Sequence, residues 1–251
     1  MNWVTRTKEV AWGLFAWLSF GLAVLFSLLV VLLVPSASRR QKLVTWASKM
    51  VFVLPRIEVQ VRGMDNLPTD KCIVVANHAS YLDGPLLKGY LPWRFNFVIK
   101  GEMRNFGPAH FLLRRSGSKF VERSDIQGST RDARQIVKAA LGGESLGFFP
   151  EGTFLEEPGV GRFRPGAFVA AVKGELPVVP VSIGGSRHML PAGAFLPRRG
   201  PLTIDILPAI APGDAGFESS RALAETARQR ILSVLGEPDL LEGAAAPDSP
   251  G

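Results

Sequence analysis

A histidine and a carboxylate lie five positions apart in Asn77-His78-Ala79-Ser80-Tyr81-Leu82-Asp83, and a second carboxylate, Glu151, sits in the Pro/Gly turn of Phe149-Pro150-Glu151-Gly152-Thr153. Imidazole ordinarily titrates near 6.5, so around pH 7 it is mostly neutral and able to take the proton of an attacking hydroxyl. A carboxylate on the other ring nitrogen enforces the tautomer that this needs. Asp83 reaches that nitrogen if the chain turns there from strand to helix, and Gly84-Pro85 suits a helix start. Taken alone, the spacing also fits a buried structural histidine followed by a helix N-cap.

The surrounding pattern predicts the elements that would position these groups. Ile57 to Arg62 alternates apolar and polar as a strand does; Ile73–Ala76, Phe95–Ile99, Leu146–Phe149, Val178–Ile183 and Leu202–Leu207 also read as strands. Ser129–Leu141, Phe163–Lys173 and Glu218–Leu235 read as helices, the first closed by Gly142-Gly143. Strands alternating with helices imply an α/β fold, one sheet covered by helices. His78 and Glu151 would each follow a strand.

Upstream, Val10 to Val34 is a run of twenty-five residues without a charged side chain, enough as helix to cross about 30 Å of hydrocarbon. It exceeds the roughly 7–15 residues of a signal-peptide core, so a retained anchor is expected. Trp12 and Trp17 lie toward its start, where aromatics often sit at headgroup depth. Gln41 to Leu54 has apolar positions at helical spacing and reads as an amphipathic helix on the membrane interface, ended by Pro55. The hydropathy fits a first helix that spans and one that dips in and returns with the second. Arg39, Arg40, Lys42 and Lys49 after the run outnumber Arg6 and Lys8 before it, which orients the body to the cytoplasm. The chain therefore divides into a membrane segment (1–54), a catalytic unit (55–238) and a disordered tail (239–251).

A net charge of +7 invites a nucleic-acid reading, but there is no basic helix with base-reading side chains and no aromatic–basic interleaving. Beside a membrane segment, attraction to anionic headgroups is the simpler account. The single cysteine, Cys72, excludes an internal disulfide and lies in an apolar run where a small core residue is expected. Three scattered histidines give no metal-ligand spacing, so neither metal nor cofactor is expected.

Four blocks in order carry a family resemblance. Gly63-Met64-Asp65-Asn66-Leu67-Pro68 leads into Ile73-Val74-Val75-Ala76-Asn77-His78; then come Gly117-Ser118-Lys119-Phe120-Val121-Glu122-Arg123, Phe149 to Thr153, and Val178-Val179-Pro180-Val181-Ser182-Ile183. Across roughly residues 55 to 210 the set resembles the 1-acyl-glycerol-3-phosphate acyltransferases, a family of glycerolipid and lysophospholipid acyltransferases. The resemblance implies their fold, a mixed sheet covered by helices with an N-terminal membrane-associated two-helix segment. It makes His78 and Asp83 the catalytic pair, with the histidine as general base, and gives Arg123 the acceptor's phosphate. Glu151 and Gly152, with Thr153 in the same block, would shape the acceptor pocket, the carboxylate accepting from a glycerol hydroxyl. Lys100 would place charge near the thioester oxygen or the donor's phosphates, although an exposed lysine at a strand end reads equally well. For Arg123, an ion pair with Glu122 is the bland reading. Acyl-CoA or acyl carrier protein would be the donor substrate, a lysophospholipid the acceptor, and the bacterial inner membrane the site of action.

Two departures stand out. The second block has Glu122 where the family usually has aspartate, and the third continues with Phe154-Leu155-Glu156-Glu157 where relatives often have Arg-Ser. A phosphate-directed cation is thereby missing, with Arg162 and Arg164 nearby as substitutes. The acceptor is then 1-acyl-glycerol-3-phosphate, giving phosphatidic acid, or a different lysolipid such as a lyso-ornithine lipid.

Two other classes compete. Gly143-Glu144-Ser145-Leu146-Gly147 matches a serine-hydrolase elbow, which needs strand, serine, helix; here a helix precedes and a strand follows. A non-catalytic lipid-binding protein would keep the fold without turnover, and the joint presence of His78, Asp83, Arg123 and Glu151 argues against it. His110, between Ala109 and Phe111, reads as a packing residue.

Overall fold

In the computed structural model the described residues are 3–121, 126–154 and 157–242. The elements in chain order are α1 (Trp3–Leu33), α2 (Ala37–Val53), β1 (Val59–Arg62), β2 (Ile73–Ala76), α3 (Asp83–Tyr90), β3 (Asn96–Lys100), α4 (Gly107–Arg115), β4 (Lys119–Val121), α5 (Ile126–Leu141), β5 (Leu146–Phe148), α6 (Gly166–Gly174), β6 (Val178–Gly184), α7 (Ser186–Met189), β7 (Leu202–Ile206) and α8 (Ser220–Leu235). The strands form one seven-stranded sheet in the order β1-β7-β6-β2-β5-β3-β4. Every neighbouring pair is parallel except β6 and β7, so the sheet is mixed as expected.

β2 lies at the centre and explains the three-layer build. Its four residues are all fully buried, and they alternate between two cores. Val74 and Ala76 join Ala47, Val51 and Phe52 of α2 and Leu86 and Leu87 of α3 on one face. Ile73 and Val75 join Ile136 of α5, Phe168 of α6 and Leu223, Ala227 and Ile231 of α8 on the other. Cys72, just before β2, is fully buried, and burial pushes its thiol up to about 11.

α1 runs as one helix and is the one described helix long and apolar enough to cross a membrane. One stripe of it is docked: Trp12, Ala16, Ser19, Ala23, Ser27, Val30 and Val31 are buried, at steps of three and four along the chain until the last. Indole Nε1 of Trp12 donates to the carbonyl of Pro55 at 3.0 Å, and that of Trp17 to Phe195 at 2.7 Å. The opposite stripe, Leu14, Leu18, Leu22, Leu25, Leu29 and Leu32, is exposed. At its C-terminal end, Arg115 donates to Val31 O at 3.1 Å and Arg40 to Val34 O at 3.0 Å, satisfying carbonyls that the helix itself leaves without partners.

α2 begins at Ala37, capped by Ser36, four residues before the predicted start. Its apolar positions divide. Val44, Ala47, Val51 and Phe52 are buried, while Leu43, Trp46, Val53 and Leu54 face outward. Residues 1–54 are thus continuous with the body, because Ala47, Val51 and Phe52 of α2 join one of the two cores. Asp239 and Leu240, placed in the expected tail, are held by the body: Asp239 bonds Arg228, and the amide of Leu240 donates to Val160 O at 3.3 Å. The reading of disorder from Gly243 onward lies outside the described residues.

Gly89 lets α3 approach α2 closely, since a Cβ there would lie 2.7 Å from Lys49 N and 2.9 Å from its Cα. Both are backbone atoms, which cannot swing aside. Gly89→Ala is expected to lower unfolding free energy by about 1–3 kcal/mol through overpacking. Urea denaturation should show a lower midpoint at an unchanged m-value.

Candidate active site

The site forms where β2 and β5 end side by side. They pair in parallel register, Val75 opposite Phe148, so the chain beyond each strand emerges on the same edge. In open α/β sheets this carboxyl edge is where ligands bind. Leaving β2, Asn77 ties its turn to the neighbouring strand: Nδ2 donates to Ile183 O at 3.0 Å, and Ile183 N donates to Oδ1 at 2.8 Å.

Beyond Asn77 the backbone folds around one carboxylate. Oδ2 of Asp83 accepts from Ala79 N at 2.7 Å and Ser80 N at 2.8 Å, and lies 2.9 Å from His78 Nδ1. Asp83 is fully buried at the first turn of α3, where the helix dipole also favours a carboxylate. Asp83 is the first residue of α3 and not its N-cap, which is Leu82; the amides it gathers precede the helix, and the same carboxylate oxygen meets the imidazole. Ser80 adds support, its hydroxyl donating to Leu190 O at 2.8 Å and accepting from Leu82 N at 3.2 Å.

Phe149 stacks on the His78 ring with centroids 4.3 Å apart, and Phe154 meets it edge-on at 4.8 Å. Tyr81, 67% exposed, packs edge-on to Phe154. With Nδ1 facing Asp83, no described residue bonds Nε2. An imidazole held in this way presents a proton-accepting nitrogen to an incoming hydroxyl.

Glu151 is committed to backbone. Oε1 accepts from His78 N at 2.8 Å and Oε2 from Gly161 N at 2.9 Å, so the carboxylate bridges the ends of two neighbouring strands and a later loop. This differs from a carboxylate waiting for a substrate hydroxyl. Burial raises its pKa above the ordinary 4.5, against the lowering by the Gly161 and His78 amides, the His78 ring and Arg187. Gly152 completes the turn at φ +84°, a left-handed conformation that favours glycine. Thr153 is exposed. Arg162 is exposed as well, and Arg164 donates from Nε to the carbonyl of Glu151 at 3.4 Å.

The remaining predicted residues lie to one side. Lys100 ends β3, separated from β2 by β5, and pairs with Glu102 at 3.4 Å in a half-exposed contact of little energetic weight. Arg123 and Glu122, just past β4, lie outside the described residues. Ser145 sits before β5, at the opposite end of that strand from Glu151, and so far from the elbow geometry of a hydrolase. His188 is exposed on α7, and His110 packs edge-on to Phe120 at 5.1 Å. Asn77, Ser80, Phe149, Phe154 and Gly161 are parts of the site that residue chemistry alone did not single out. Asn77 and Phe149 stood inside the two motifs; for Gly161 no local signal exists.

A family model described as Acyltransferase matches residues 58–184, half of the chain. The chain belongs to the acyltransferase family. Among its relatives is the chloroplastic 1-acyl-sn-glycerol-3-phosphate acyltransferase of Brassica napus, 29% identical over 151 residues that cover 59% of this chain and 43% of the relative. Another is the lyso-ornithine lipid O-acyltransferase of Pseudomonas aeruginosa, 33% identical over 154 residues, covering 61% and 57% respectively. The chain thus spans about half the length of these curated acyltransferases. The crystal structure of the 1-acyl-sn-glycerophosphate acyltransferase from Thermotoga maritima superposes with a TM-score of 0.76 at 24% identity, covering 97% of this chain and 99% of that one, which shows a shared fold. The acyltransferase match encloses His78, Asp83, Glu151 and Gly161 together.

Replacing Glu151 by glutamine puts an amide nitrogen against one of two buried backbone donors. Unfolding free energy should fall by about 1–3 kcal/mol at neutral pH. In the unfolded chain Glu151 titrates near 4.5, and in the folded protein higher. Between those values the folded protein holds a proton that the unfolded chain has lost, so this group's contribution to stability falls as pH rises. Denaturation from pH 4 upward should show the wild-type advantage over Glu151→Gln shrinking through that window; a constant difference would contradict it.

Proposed function

We propose that this chain transfers a fatty acyl group from an acyl thioester to the hydroxyl of a lysophospholipid, with 1-acyl-glycerol-3-phosphate as acceptor and phosphatidic acid as product. The observation that carries the reading is His78 Nδ1 at 2.9 Å from the buried Asp83, with Nε2 bonded by no described residue. The acceptor oxygen attacks the thioester carbonyl as Nε2 takes the hydroxyl proton. A C–O bond forms, the C–S bond breaks, and the proton passes on to the departing thiolate. No covalent acyl-enzyme is needed. Asp83 holds Nδ1–H and favours the imidazolium as it forms.

The donor is acyl-CoA or acyl carrier protein; both are anionic, and the chain carries +7. Arg123 serves as the phosphate ligand, a role suited to its planar fork, with Lys100 on the donor side and Thr153 at the pocket mouth. The name of the Brassica relative supports the phosphatidic acid product. One observation favours a second acceptor. Phe154 stands where the family often continues with arginine, and its ring lies against His78 where a cation would otherwise meet the phosphate. The Pseudomonas relative is named for a lyso-ornithine lipid, whose headgroup lacks a terminal phosphate.

The exposed leucine stripe of α1 seats the molecule in a membrane, with the site facing the cytoplasm by the excess of Arg39, Arg40, Lys42 and Lys49 over Arg6 and Lys8. Burying each of these leucines in lipid is worth about 1.5–3 kcal/mol. Changing Leu18, Leu22, Leu25 and Leu29 together to serine, away from the docked stripe, should move the folded protein from the membrane pellet to the supernatant on ultracentrifugation.

His78→Ala should lower turnover at least about 10²-fold, the lower bound for general-base catalysis. The assay is thioester-dependent acylation of a panel of lysolipids by purified protein. Turnover of 1-acyl-glycerol-3-phosphate, lost in the variant, supports the primary reading; turnover confined to lyso-ornithine lipid selects the second. Unchanged turnover in His78→Ala overturns the mechanism.

A further inference from the structure

We propose that Arg228, clasped by Asp239 of the C-terminal segment, is a positioning residue for acyl transfer that acts through the Gly161–Glu151–His78 chain of hydrogen bonds. This rests on the reading of His78 as the base.

Arg228 is the largest fully buried side chain among the described residues, 1% exposed on α8. Its five N–H donors all have partners. Nε donates to Gly161 O at 2.9 Å, and one Nη2 hydrogen to Val160 O at 3.1 Å. The second Nη2 hydrogen goes to Asp239 Oδ1; Nη1 reaches Asp239 Oδ2 at 3.0 Å and Glu225 Oε1 at 3.4 Å. The guanidinium thus grips two consecutive carbonyls of the 159–161 loop on one side and a carboxylate on the other.

The same loop is held from two more directions. Val160 N donates to Pro238 O at 3.0 Å, and Val160 bridges Asp239 as a parallel strand pair. Glu237 accepts from Gly159 N at 2.9 Å and pairs with Arg187 at 3.0 Å, whose Nη2 also donates to Gly159 O at 3.3 Å. Gly159 at φ +139° leaves no room for a side chain, because a Cβ would lie 2.6 Å from Leu240 Cγ. What this clamped loop offers the site is one amide: Gly161 N on Glu151 Oε2, whose other oxygen holds His78 N. A buried cation is costly to desolvate, so a purely packing role would be filled as well by an apolar side chain. The arginine is instead spent on fixing the Val160 carbonyl, which shares its trans peptide plane with the Gly161 N–H and points the opposite way, and the Gly161 carbonyl that follows; this aims the Gly161 N–H at Glu151.

Loosening the loop should shift His78 without removing any group that touches substrate. A misplacement of about 1 Å in a catalytic constellation can cost about a hundredfold in rate. Glu151 faces His78 and Arg187, with Arg164 on its carbonyl. Of these groups the loop controls the Gly161 amide, whose hydrogen bond lowers the Glu151 pKa. Loosening the loop weakens that bond and admits water together, which act on the Glu151 carboxyl in opposite directions, so the reading rests on rate and exchange.

The test compares full-length wild type, Arg228→Met, Arg228→Lys, the gentler Asp239→Asn, and His78→Ala, with oleoyl-CoA and 1-oleoyl-lysophosphatidic acid as substrates. Thermal denaturation first establishes that each variant is folded at the assay temperature. Expected for Arg228→Met and Asp239→Asn are a kcat about ten- to a hundredfold lower at KM values within about twofold, and partial rescue by Arg228→Lys. Hydrogen exchange supplies a readout that needs no turnover: peptides covering 159–164 and 77–80 should lose protection together. Folded Arg228→Met and Asp239→Asn with wild-type kcat, or with wild-type protection at 77–80, overturn the proposal. His78→Ala retaining full activity overturns the underlying mechanism instead, while the exchange result still decides whether the loop holds Glu151 and His78.

Discussion

A carboxylate without access to water must collect hydrogen-bond donors, and Asp83 does so by bending the chain around itself. Ala79 N, Ser80 N and the His78 ring all converge on Oδ2. The requirement sets the path from the end of β2 to the start of α3, aims the imidazole, and uses the dipole of the helix that Asp83 opens. Asn77 on one side and Ser80 on the other tie this turn to Ile183 and Leu190, so it moves only if the sheet edge moves. Removing the carboxylate would leave two buried amides without partners as well as an unguided ring. The orientation of His78 and the local fold here share one group.

Glu151 extends the same logic outward. Its two oxygens join the turn after β2, the turn after β5 and the loop carrying Gly161. The helical layer on the far face of the sheet then enters the account, because α8 supplies Arg228 and the chain beyond it returns to cover that loop. The carboxyl edge of the sheet is therefore braced from both faces: α3 and Asp83 on one, α8 and the 237–240 segment on the other. Such bracing suits an exposed site, since a ring that is partly open to water gains little positional restraint from packing alone. Phe149 and Phe154 supply what packing there is.

The N-terminal helices resolve a conflict between two uses of apolar surface. α1 is apolar nearly all round, yet the side chains on its docked stripe are mostly small, Ala16, Ser19, Ala23 and Ser27, which lets it lie close to the body. The bulky leucines point away. α2 spends half its apolar positions on the core and half outward. The N-terminal helices and the folded body are thus one construction, and the proposed seat in the bilayer would set the height of the sheet's carboxyl edge through direct packing.

Much of this was legible in the chain because it depends on short-range rules. The strand at Ile73–Ala76 came from four consecutive apolar residues, and the helix expected over 218–235, observed over 220–235, from its periodicity. His78 with Asp83 came from a spacing that a single strand-to-helix turn can close, and the acyltransferase family from four ordered blocks. Harder to read were elements whose stability lies elsewhere: β4 is three residues long and is held by its pairing with β3, and α2 begins a turn early because Ser36 caps it. The two backbone bonds of Glu151 were also unreadable, since a carboxylate bonded to backbone and one awaiting substrate look the same in one dimension. Arg228 was invisible as anything but a charge on an amphipathic helix. By itself the sequence determined the fold class, the family, and the meeting of His78 with Asp83, all of which follow from periodicity, ordered blocks and local spacing. Only the tertiary structure decided which groups meet across the sheet, because contacts among residues 78, 151, 161, 228 and 239 come from strand order and helix return, which no local pattern encodes.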